Sequence, residues 1–338
     1  MNWQRKARIQ NLIAALPASN AIYYAVQRTL GSLRPGRTNP LEWFQAGARL
    51  ADWIEGAGRA VEGASFLEVG TGRQVNMPLA LWLCGAGRVA TVDLNTYLSG
   101  ALVAESVEYV RRNREEVARQ FGARGESRGF RQRLSALASF KGDLGGLLRL
   151  ARIEYLSPAD AARLPFAAGA FDFHVSYAVF EHIPEDDLRR ILAEARRVLK
   201  PAGLLVHVID PSDHFSHDDP TITAINFLQF GGREWERLAG NRFMFHNRLR
   251  ARQYLDLFER AGVRVLRQTE ALDEASLSAL REGFPVSEEF RSFTQEELAV
   301  RSLNVMGTFA EERAADGAAR RAAAGGAKEQ AATGAVVS

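Results

Sequence analysis

The sequence of 338 residues contains a single cysteine, Cys84, and no apolar run long enough to cross a membrane. One cysteine excludes an internal disulfide framework and is typical of a reducing compartment. The secretory pattern of a basic head, an apolar stretch and a cleavage site is missing as well. These absences predict a cytoplasmic protein. Because Cys84 directly follows the apolar run 79–83, we expect it to be a buried, unreactive thiol.

Acidic residues are missing before Glu42, whereas basic residues occur at Arg5, Lys6, Arg8, Arg28, Arg34 and Arg37. Amphipathic spacing predicts two helices, over residues 3–16 and 19–30, that form an N-terminal helical cap over residues 1–40. Such a cap would pack on the domain or over its substrate mouth. The alternatives are a basic helix lying on an anionic membrane surface or a partner, and a mitochondrial transit peptide. The formal charge of the whole chain is only +3, so we expect no nucleic-acid partner.

Apolar strand patterns alternate with helical patterns along the rest of the chain. The predicted strands are 66–69, 89–92, 153–156, 171–176, 204–209, 263–267 and 302–309. This alternation indicates an α/β fold with a doubly wound, mostly parallel seven-stranded sheet, in one domain over residues 41–311.

Three segments stand apart from that alternation. Residues 98–150 are far longer than a normal crossover connection, so they are a helical insertion. Residues 211–250 are aromatic, rich in histidine and irregular, which suits an acceptor-binding or lid segment. Residues 312–338 contain alanine, glycine and charge without large apolar side chains, so we expect a disordered tail.

A glycine turn follows the first predicted strand. The strand ends at Gly70, and Gly72 follows before a helical pattern begins. Glycine allows a ligand to lie against bare backbone, and the start of a helix offers free N–H groups to an anion. The second predicted strand ends in Asp93, at the distance expected for a carboxylate that accepts ribose hydroxyls. Together these features predict a nucleotide-like ligand.

Four stretches resemble a known family. In chain order they are F-L-E-V-G-T-G, T-V-D-L-N, S-P-A-D-A-A-R-L-P-F-A-A-G-A-F-D-F-H-V-S-Y-A-V-F-E-H-I and E-A-R-R-V-L-K-P-A-G-L-L-V. Over about residues 60–210 the chain is similar to the class I S-adenosylmethionine-dependent methyltransferases, in the small-molecule branch labelled type 11. The resemblance implies a Rossmann-like methyltransferase fold with an antiparallel final strand, and S-adenosylmethionine as cofactor.

The resemblance also implies roles around the glycine turn. Glu68, Gly70 and Gly72 would line the methionine end of the cofactor, with Glu68 near its ammonium group or the turn backbone. Asp93 would accept the ribose hydroxyls, and Leu94 would pack on the adenine.

Further roles are implied on the two strands beyond. Asp160 would accept a hydrogen bond from the adenine amino group, and Ala161 would supply backbone beside it. Ser176 and Tyr177, at the end of the fourth strand, would flank the methionine and open onto the acceptor. The chain departs from the family at Arg73, where a third glycine is frequent.

Candidate catalytic residues follow the fifth predicted strand, in the stretch H-V-I-D-P-S-D-H-F-S-H-D-D. Methyl transfer is an in-line displacement in which positioning carries most of the rate, but a hydroxyl acceptor must also lose a proton. His214 and His217 could serve as a base and an acceptor ligand. They could also be solvated loop residues, or belong to a metal site, since imidazole and carboxylate suit several divalent ions. We assign no metal ligand from the sequence.

Other polar residues are weighed in the same way. His207, in the fifth strand, is expected to be a satisfied interior histidine, and His182 to frame the cofactor mouth. Four residues near the end of the irregular segment either face the acceptor or are plain loop residues. They are Arg242, His246, Asn247 and Arg248.

The function predicted from these features is methyl transfer from S-adenosylmethionine to a small or medium acceptor, at oxygen. A sugar or glycan precursor is one such acceptor, with aromatic side chains of residues 211–247 stacking on it. One alternative is a nicotinamide-dependent oxidoreductase, which needs a fuller glycine fingerprint and a catalytic tyrosine and lysine pair. Another is a non-catalytic binding module that keeps the fold. The sequence leaves the oligomeric state open.

Overall fold

Strands and helices alternate along the computed structural model, which describes residues 1–31, 33–35 and 38–310. The predicted tail, 312–338, lies outside the described residues. The strands are β1 (Ser65–Val69), β2 (Arg88–Val92), β3 (Ile153–Leu156), β4 (Phe171–Tyr177), β5 (Leu199–Ile209), β6 (Val263–Leu272) and β7 (Val300–Phe309).

Thirteen α-helices connect and flank the strands within those described ranges. The first seven are α1 (Trp3–Ala14), α2 (Ser19–Thr29), α3 (Leu41–Gly56), α4 (Asn76–Leu83), α5 (Gly100–Arg112), α6 (Arg114–Arg119) and α7 (Arg128–Ser139). The other six are α8 (Leu144–Leu150), α9 (Glu185–Val198), α10 (Gly232–Ala239), α11 (Ala251–Arg260), α12 (Glu274–Arg281) and α13 (Gln295–Ala299).

All seven strands form one sheet in the order β3-β2-β1-β4-β5-β7-β6. The first five strands pair in parallel, and β7 inserts antiparallel between β5 and β6. The prediction of a doubly wound, mostly parallel seven-stranded sheet is therefore confirmed, including the antiparallel final strand. The order reverses at β1, where the chain goes outward to β2 on one side and later to β4 on the other. A crevice at the carboxyl ends of β1 and β4 is the usual ligand site of such sheets.

The sheet is covered on both faces by apolar side chains. One core contains residues of α3, α4 and the 98–150 segment, including Phe44, Leu81 and Leu137, and the other contains residues of α9 and α11, including Leu192 and Phe258. The long segment therefore supplies part of the main core. Cys84 is buried in that core, as expected.

Arginines tie the 98–150 segment to the rest of the domain. Arg124 Nη2 lies 2.9 Å from Asp52 Oδ1 and 2.6 Å from Glu55 Oε2, both on α3. Arg133 donates to the carbonyl oxygen of Ala86 at 3.1 Å. These arginines therefore make specific contacts with α3 and with the loop before β2.

A third core joins α1 to the irregular segment after β5. Trp3 is buried, and its ring lies 5.7 Å from Phe215 and 5.8 Å from Trp235. The backbone N–H of Trp3 also donates to Asp219 Oδ2 at 2.7 Å. The helices of the N-terminal segment therefore pack on residues 215–239.

The apolar residues in and just after α1 lie on two different sides of the helix. Ile13 is buried, but Ile9, Leu12 and Leu16 are 45%, 71% and 49% exposed. Trp3 packs in the third core, so the side of α1 that carries Trp3 faces the core. The other apolar side of the helix therefore faces outward. No helix within the described residues is long and apolar enough to cross a membrane.

The aromatic residues of the irregular segment also differ from expectation. Phe215, Phe227 and Trp235 are buried in the third core and are not available to stack on a sugar. Phe243 stacks on Tyr23 of α2, with ring centroids 4.2 Å apart. The sequence placed these rings in the right segment, but their partners come from the N-terminal helices, which are more than 200 residues away in sequence.

Candidate functional site

The glycine turn after β1 requires glycine at both positions. Gly70 and Gly72 have φ of +92° and +66°, a region that L side chains rarely adopt. A Cβ on Gly70 would lie 2.4 Å from Val179 Cγ2, whereas a Cβ on Gly72 would meet no atom within 4 Å. The backbone at Gly70 therefore packs tightly against the loop after β4. The space beside Gly72 is open to a ligand.

Asp93, at the end of β2, lies directly beside this turn. Its Oδ2 accepts a hydrogen bond from the Gly72 N–H at 2.9 Å, and its Oδ1 accepts one from the Asn95 N–H at 3.0 Å. Burial raises the pKa of Asp93, and these two hydrogen bonds oppose the rise. The carboxylate is held in place by backbone, and each oxygen keeps lone-pair capacity for a ligand hydroxyl.

Glu68 lies beneath the turn, in β1, and is 2% exposed. Thr91 Oγ1 donates a short hydrogen bond to Glu68 Oε2, and the hydroxyls of Thr91 and Thr71 share a further bond of 2.6 Å. Burial is the main cause that raises the pKa of Glu68 to about 8. The chain of Glu68, Thr91 and Thr71 links two strands to the turn, and a ligand ammonium group would offset the burial of this carboxyl group.

Asp160 and Ala161 lie in the loop after β3, at the same sheet edge. The Ala159 N–H donates to the Asp93 carbonyl oxygen at 3.0 Å, which holds this loop against the end of β2. Asp160 Oδ1 accepts from the Ala162 N–H at 2.8 Å, and Asp160 is exposed. Leu94 is 68% exposed and free to pack on a ligand ring. The residues predicted to surround an adenosine group are thus brought together by β1, β2 and β3.

Arg73, which directly follows Gly72, is held by two aromatic rings. Its guanidinium carbon lies 4.8 Å from the Tyr24 ring centroid and 5.3 Å from the Tyr97 centroid. The Tyr24 hydroxyl also shares a hydrogen bond of 2.9 Å with Ser99 Oγ, the N-cap of α5. Helix α2 therefore lies against the glycine turn.

Ser176 and Tyr177 end β4 and face different sides. Ser176 is fully buried, and its Oγ lies 2.8 Å from Nδ1 of His207 in β5. The Ser176 hydroxyl is therefore engaged in the interior, and only its backbone is at the sheet edge. His207 is the satisfied interior histidine that the sequence predicted, since His174 Nδ1 also lies 3.4 Å from its Nε2.

Tyr177 lies in the wall of a cavity of about 690 Å³ at the carboxyl ends of β4 and β5. Its hydroxyl donates to Glu42 Oε1 at 3.3 Å, and burial raises the pKa of Tyr177 to about 12. The other lining residues include Ala178, Asp210, Ser212, His214, His217, Thr221, Asp273 and Arg301. Because Ala178 precedes Val179, which contacts Gly70, this cavity borders the glycine turn.

His214 and His217 converge on one carboxylate oxygen in this cavity. Their Nε2 atoms lie 3.4 Å and 3.6 Å from Asp210 Oδ2, and the two rings are 4.8 Å apart. Asp210 Oδ1 accepts from the Ser212 N–H at 3.0 Å, which fixes the carboxylate. Burial opposes the charged form of His214, but Asp210 outweighs burial and raises its pKa. Burial and the charge of His214 lower the pKa of His217.

Glu181 is a residue of this group that the sequence reading left without a role. It is fully buried, and neither carboxylate oxygen has a hydrogen-bond partner among the described residues. Burial raises the pKa of Glu181 to about 8. The sequence signal that could have identified Glu181 is its position. The stretch F-E-H follows β4 at the same sheet edge where D-P-S-D-H follows β5.

Three of the polar residues near 242–248 serve to hold loops together. Asn247 Nδ2 donates to the carbonyl oxygens of Phe180 and Ile183, both at 2.8 Å. Arg248 donates to the Phe230 carbonyl oxygen at 2.7 Å and forms an ion pair with Glu289. Arg242 donates to Ser19 Oγ at 3.2 Å. Of this set, His246 lies closest to the other imidazoles, with its ring 5.0 Å from that of His214.

Comparison with known families and sequences gives one match. A family model described as a methyltransferase domain matches residues 138–207, from the end of α7 through most of β5. Comparison with curated protein sequences finds no match.

Solved structures similar to the chain include an S-adenosylmethionine-dependent methyltransferase from Methanosarcina mazei. It is 17% identical over 77% of this chain and 98% of that chain, with a TM-score of 0.41. A TehB-like S-adenosylmethionine-dependent methyltransferase from Corynebacterium glutamicum is 17% identical over 87% and 100%, with a TM-score of 0.41. A geranyl diphosphate methyltransferase in complex with S-adenosylmethionine is 14% identical over 79% and 85%, with a TM-score of 0.41.

Proposed function

We propose that this chain is a class I S-adenosylmethionine-dependent methyltransferase that transfers the methyl group to a hydroxyl of a small or medium acceptor. The observation that carries the acceptor proposal is the cavity of about 690 Å³. Ala178 in its wall precedes Val179, which lies against Gly70, and its lining includes His214, His217 and Asp210. A group of proton-accepting side chains therefore lies in the cavity next to the loop that packs on the glycine turn.

The residues around the glycine turn fit the cofactor. The open space beside Gly72 is where a Cβ would meet no atom, and Asp93 offers two anchored oxygens to a diol. Glu68, Gly70 and Gly72 would hold the methionine part. When bound, S-adenosylmethionine supplies the methyl group as an electrophile on its sulfonium.

The outer part of the cofactor would contact the neighbouring strand ends. Asp93 would hold the ribose, and Leu94, Asp160 and Ala161 would surround the adenine. Tyr177 stays protonated near neutral pH because burial raises its pKa to about 12, so it serves as a wall and a hydrogen-bond donor. The Ser176 hydroxyl is hydrogen-bonded to His207 in the interior, so this side chain would not contact the cofactor directly.

On the acceptor side, His217 is the residue that we assign to proton acceptance. Its side chain is 55% exposed, against 16% for His214, so it is the more accessible imidazole. Asp210 Oδ2, 3.6 Å from His217 Nε2, would stabilise the imidazolium that forms when the acceptor hydroxyl loses its proton. His214 lies deeper and would orient the acceptor oxygen.

The cavity wall favours an acceptor with several hydroxyls. Ser212, Thr221 and Thr223 line it together with the ionisable groups, and such side chains read hydroxyl groups by hydrogen bonds. A sugar-type acceptor fits this polarity, although the buried aromatic rings of the segment would not stack on it. Hydroxyl-bearing sugars and phenols are therefore the acceptor classes to compare.

The test begins with calorimetric titration of S-adenosylmethionine and NADH into the purified chain. We expect saturable binding of the first and none of the second, and the reverse would favour a nicotinamide-dependent oxidoreductase. Production of S-adenosylhomocysteine is then measured with sugar, phenol, amine and thiol acceptors. Activity confined to amines or thiols would overturn the hydroxyl proposal.

With an active acceptor, His217→Gln is expected to lower kcat by about 10²-fold or more, because general base catalysis typically contributes that much. The dissociation constant for S-adenosylmethionine should stay within about twofold. Lys141→Gln, an exposed residue outside the site, serves as the matched control. Full activity of His217→Gln would show that His217 is not the proton acceptor. It would not contradict methyl transfer itself.

A second proposal concerns α1: we propose that its exposed face rests on an anionic lipid surface. Ile9, Leu12 and Leu16 are exposed along one stripe, with Arg5 and Arg8 beside it at helical spacing. The absence of any acidic residue before Glu42 makes this stripe complementary to anionic headgroups.

Vesicles of phosphatidylglycerol should therefore sediment the chain, and vesicles of phosphatidylcholine should not. Leu12→Gln should reduce the sedimented fraction. A chain that stays in the supernatant with both vesicle types, or binds both equally, would overturn this proposal.

A further inference from the structure

A buried carboxylate without a partner lies next to the acceptor cavity. Glu181 is 0% exposed, and neither carboxyl oxygen has a hydrogen-bond partner of good geometry among the described residues, although the backbone at Glu181 and Asp210 and the charge of His214 favour its charged form. Ionising this group is costly, because burial removes its hydration and these contacts replace it only in part. Such an orphaned group in an otherwise well-paired structure points to a ligand that completes it.

His182, the next residue, offers a lone pair to the same place. Its Nδ1 lies 2.8 Å from the Phe245 carbonyl oxygen, which can only accept, so Nδ1 carries the proton. The neutral ring therefore has an unprotonated Nε2. A metal-binding histidine is typically oriented in this way, with its other nitrogen donating to a backbone carbonyl.

His214 completes a convergent set of donors. The ligand atoms of Glu181, His182 and His214 lie within 4.8 Å of one another. A second group, Asp210, His214 and His217, shares only His214 with the first. One carboxyl group and two imidazoles therefore offer lone pairs to the same place.

We propose that Glu181, His182 and His214 bind one divalent metal ion, with Asp210 beside His214 but outside the ligand set. His217 stays outside the set, on the cavity side, where it accepts the proton of the acceptor hydroxyl. His246 is also outside it, because its Nδ1 accepts from the Arg248 N–H at 3.2 Å and its Nε2 is therefore protonated in the neutral ring. That N–H is a donor available to an oxygen bound at the ion.

The donor set selects the class of metal. Two imidazoles and one carboxylate are a mixed nitrogen and oxygen set, which suits Zn²⁺, Mn²⁺, Fe²⁺ or Co²⁺. Mg²⁺ and Ca²⁺ prefer sites made wholly of oxygen ligands. Three protein ligands leave at least one position for an oxygen ligand on these ions.

The position of the site gives the ion a role in specificity. His214 lines the acceptor cavity, so an ion held by it would coordinate an oxygen of a bound acceptor and lower the pKa of that hydroxyl. This role rests on the proposed function, whereas binding of the ion does not. It predicts that acceptors with two adjacent oxygens bind better than those with one.

Direct binding tests the site without cofactor or acceptor. The full chain, freed of its purification tag and dialysed against EDTA and then buffer, is titrated with Zn²⁺ in a calorimeter and with Co²⁺ by visible absorption. We expect one ion per chain, and cobalt absorption bands typical of nitrogen and oxygen ligands. Glu181→Gln and His182→Gln should each weaken Zn²⁺ affinity by at least about tenfold.

Glu185→Gln, a half-buried carboxylate at the start of α9 that pairs with Arg189, is the matched control and should bind like the unmodified chain. If Glu181→Gln unfolds, His182→Gln decides alone, because His182 is exposed and its replacement leaves the core intact. The proposal would be overturned if the chain showed no saturable 1:1 binding. It would also be overturned if both variants bound Zn²⁺ as tightly as the unmodified chain. Because no methyl donor is present, a failed titration says nothing against methyl transfer, and a failed transfer assay says nothing against the metal site.

Discussion

The backbone N–H of Gly72 donates to Asp93 Oδ2 at 2.9 Å, so the glycine turn of one strand and the carboxylate of the next hold each other. The two residues are 21 positions apart in sequence. Because Asn95 occupies the other oxygen, both oxygens of Asp93 are oriented before any ligand arrives. Preorganisation of this kind lowers the entropic cost of binding a diol.

Asp93→Asn should therefore weaken binding of S-adenosylhomocysteine by about 10- to 100-fold. An amide has one oxygen for the two backbone donors that the carboxylate now satisfies, and hydrogen bonds to charged groups are worth about 1.5–3 kcal/mol. Calorimetric titration measures the effect. Asp256→Asn, an exposed residue on α11, is the control and should bind within about twofold of the unmodified chain. Unchanged affinity of Asp93→Asn would place the ribose elsewhere.

The two glycines of the turn should respond differently to alanine. Both have positive φ, which costs an L residue about 1–2 kcal/mol, but only Gly70 also faces Val179, 2.4 Å from a built Cβ. Gly70→Ala should thus reduce the free energy of unfolding by more than Gly72→Ala does, by at least about 1 kcal/mol. Urea unfolding measures both.

The contact with Val179 can be isolated by a double variant. In the double variant with Val179→Ala and Gly70→Ala, the loss in the free energy of unfolding should be smaller than the sum of the losses in the two single variants. If the coupling between positions 70 and 179 is zero, the difference between the two glycines has another cause.

Stability should fall in mild acid because of the interior histidines. Burial lowers the pKa of His174 from 6.5 to about 4, so between these values the unfolded chain binds a proton that the folded chain does not. The free energy of unfolding should then decrease as the pH falls from 6.5 to 4, by up to about 1.4 kcal/mol per pH unit for this group. His174→Asn should show a shallower decline over that range, measured by urea unfolding at several pH values. An equal slope in both proteins would mean that other groups dominate.

Much of the architecture is legible in the sequence because its signals are local. The first two strands, β1 and β2, lie within about 30 residues of each other along the chain, together with Gly70, Gly72 and Asp93. Parallel pairing then places them together without further information. The same reasoning placed His207 in the interior, since a strand covered on both faces has no polar side.

The side chains that were misplaced depend on distant partners. The stripe of α1 that packs is decided by Trp3 meeting Phe215 and Trp235, more than 200 residues later. Ser176 was expected at the cofactor, but the parallel register sets it opposite His207 and its hydroxyl turns inward. Glu181 looks like an ordinary loop carboxylate until Asn247 and its neighbours cover it.

The sequence by itself determined the fold class and the positions of the glycine turn and the acidic strand end that follows it, because hydrophobic period and glycine placement act over short distances. Only the tertiary structure decided which imidazoles meet, which carboxylates are left unpaired and which aromatic rings are consumed by packing. Those outcomes arise from burial and distance between segments far apart in the chain, and neither quantity is written in local spacing.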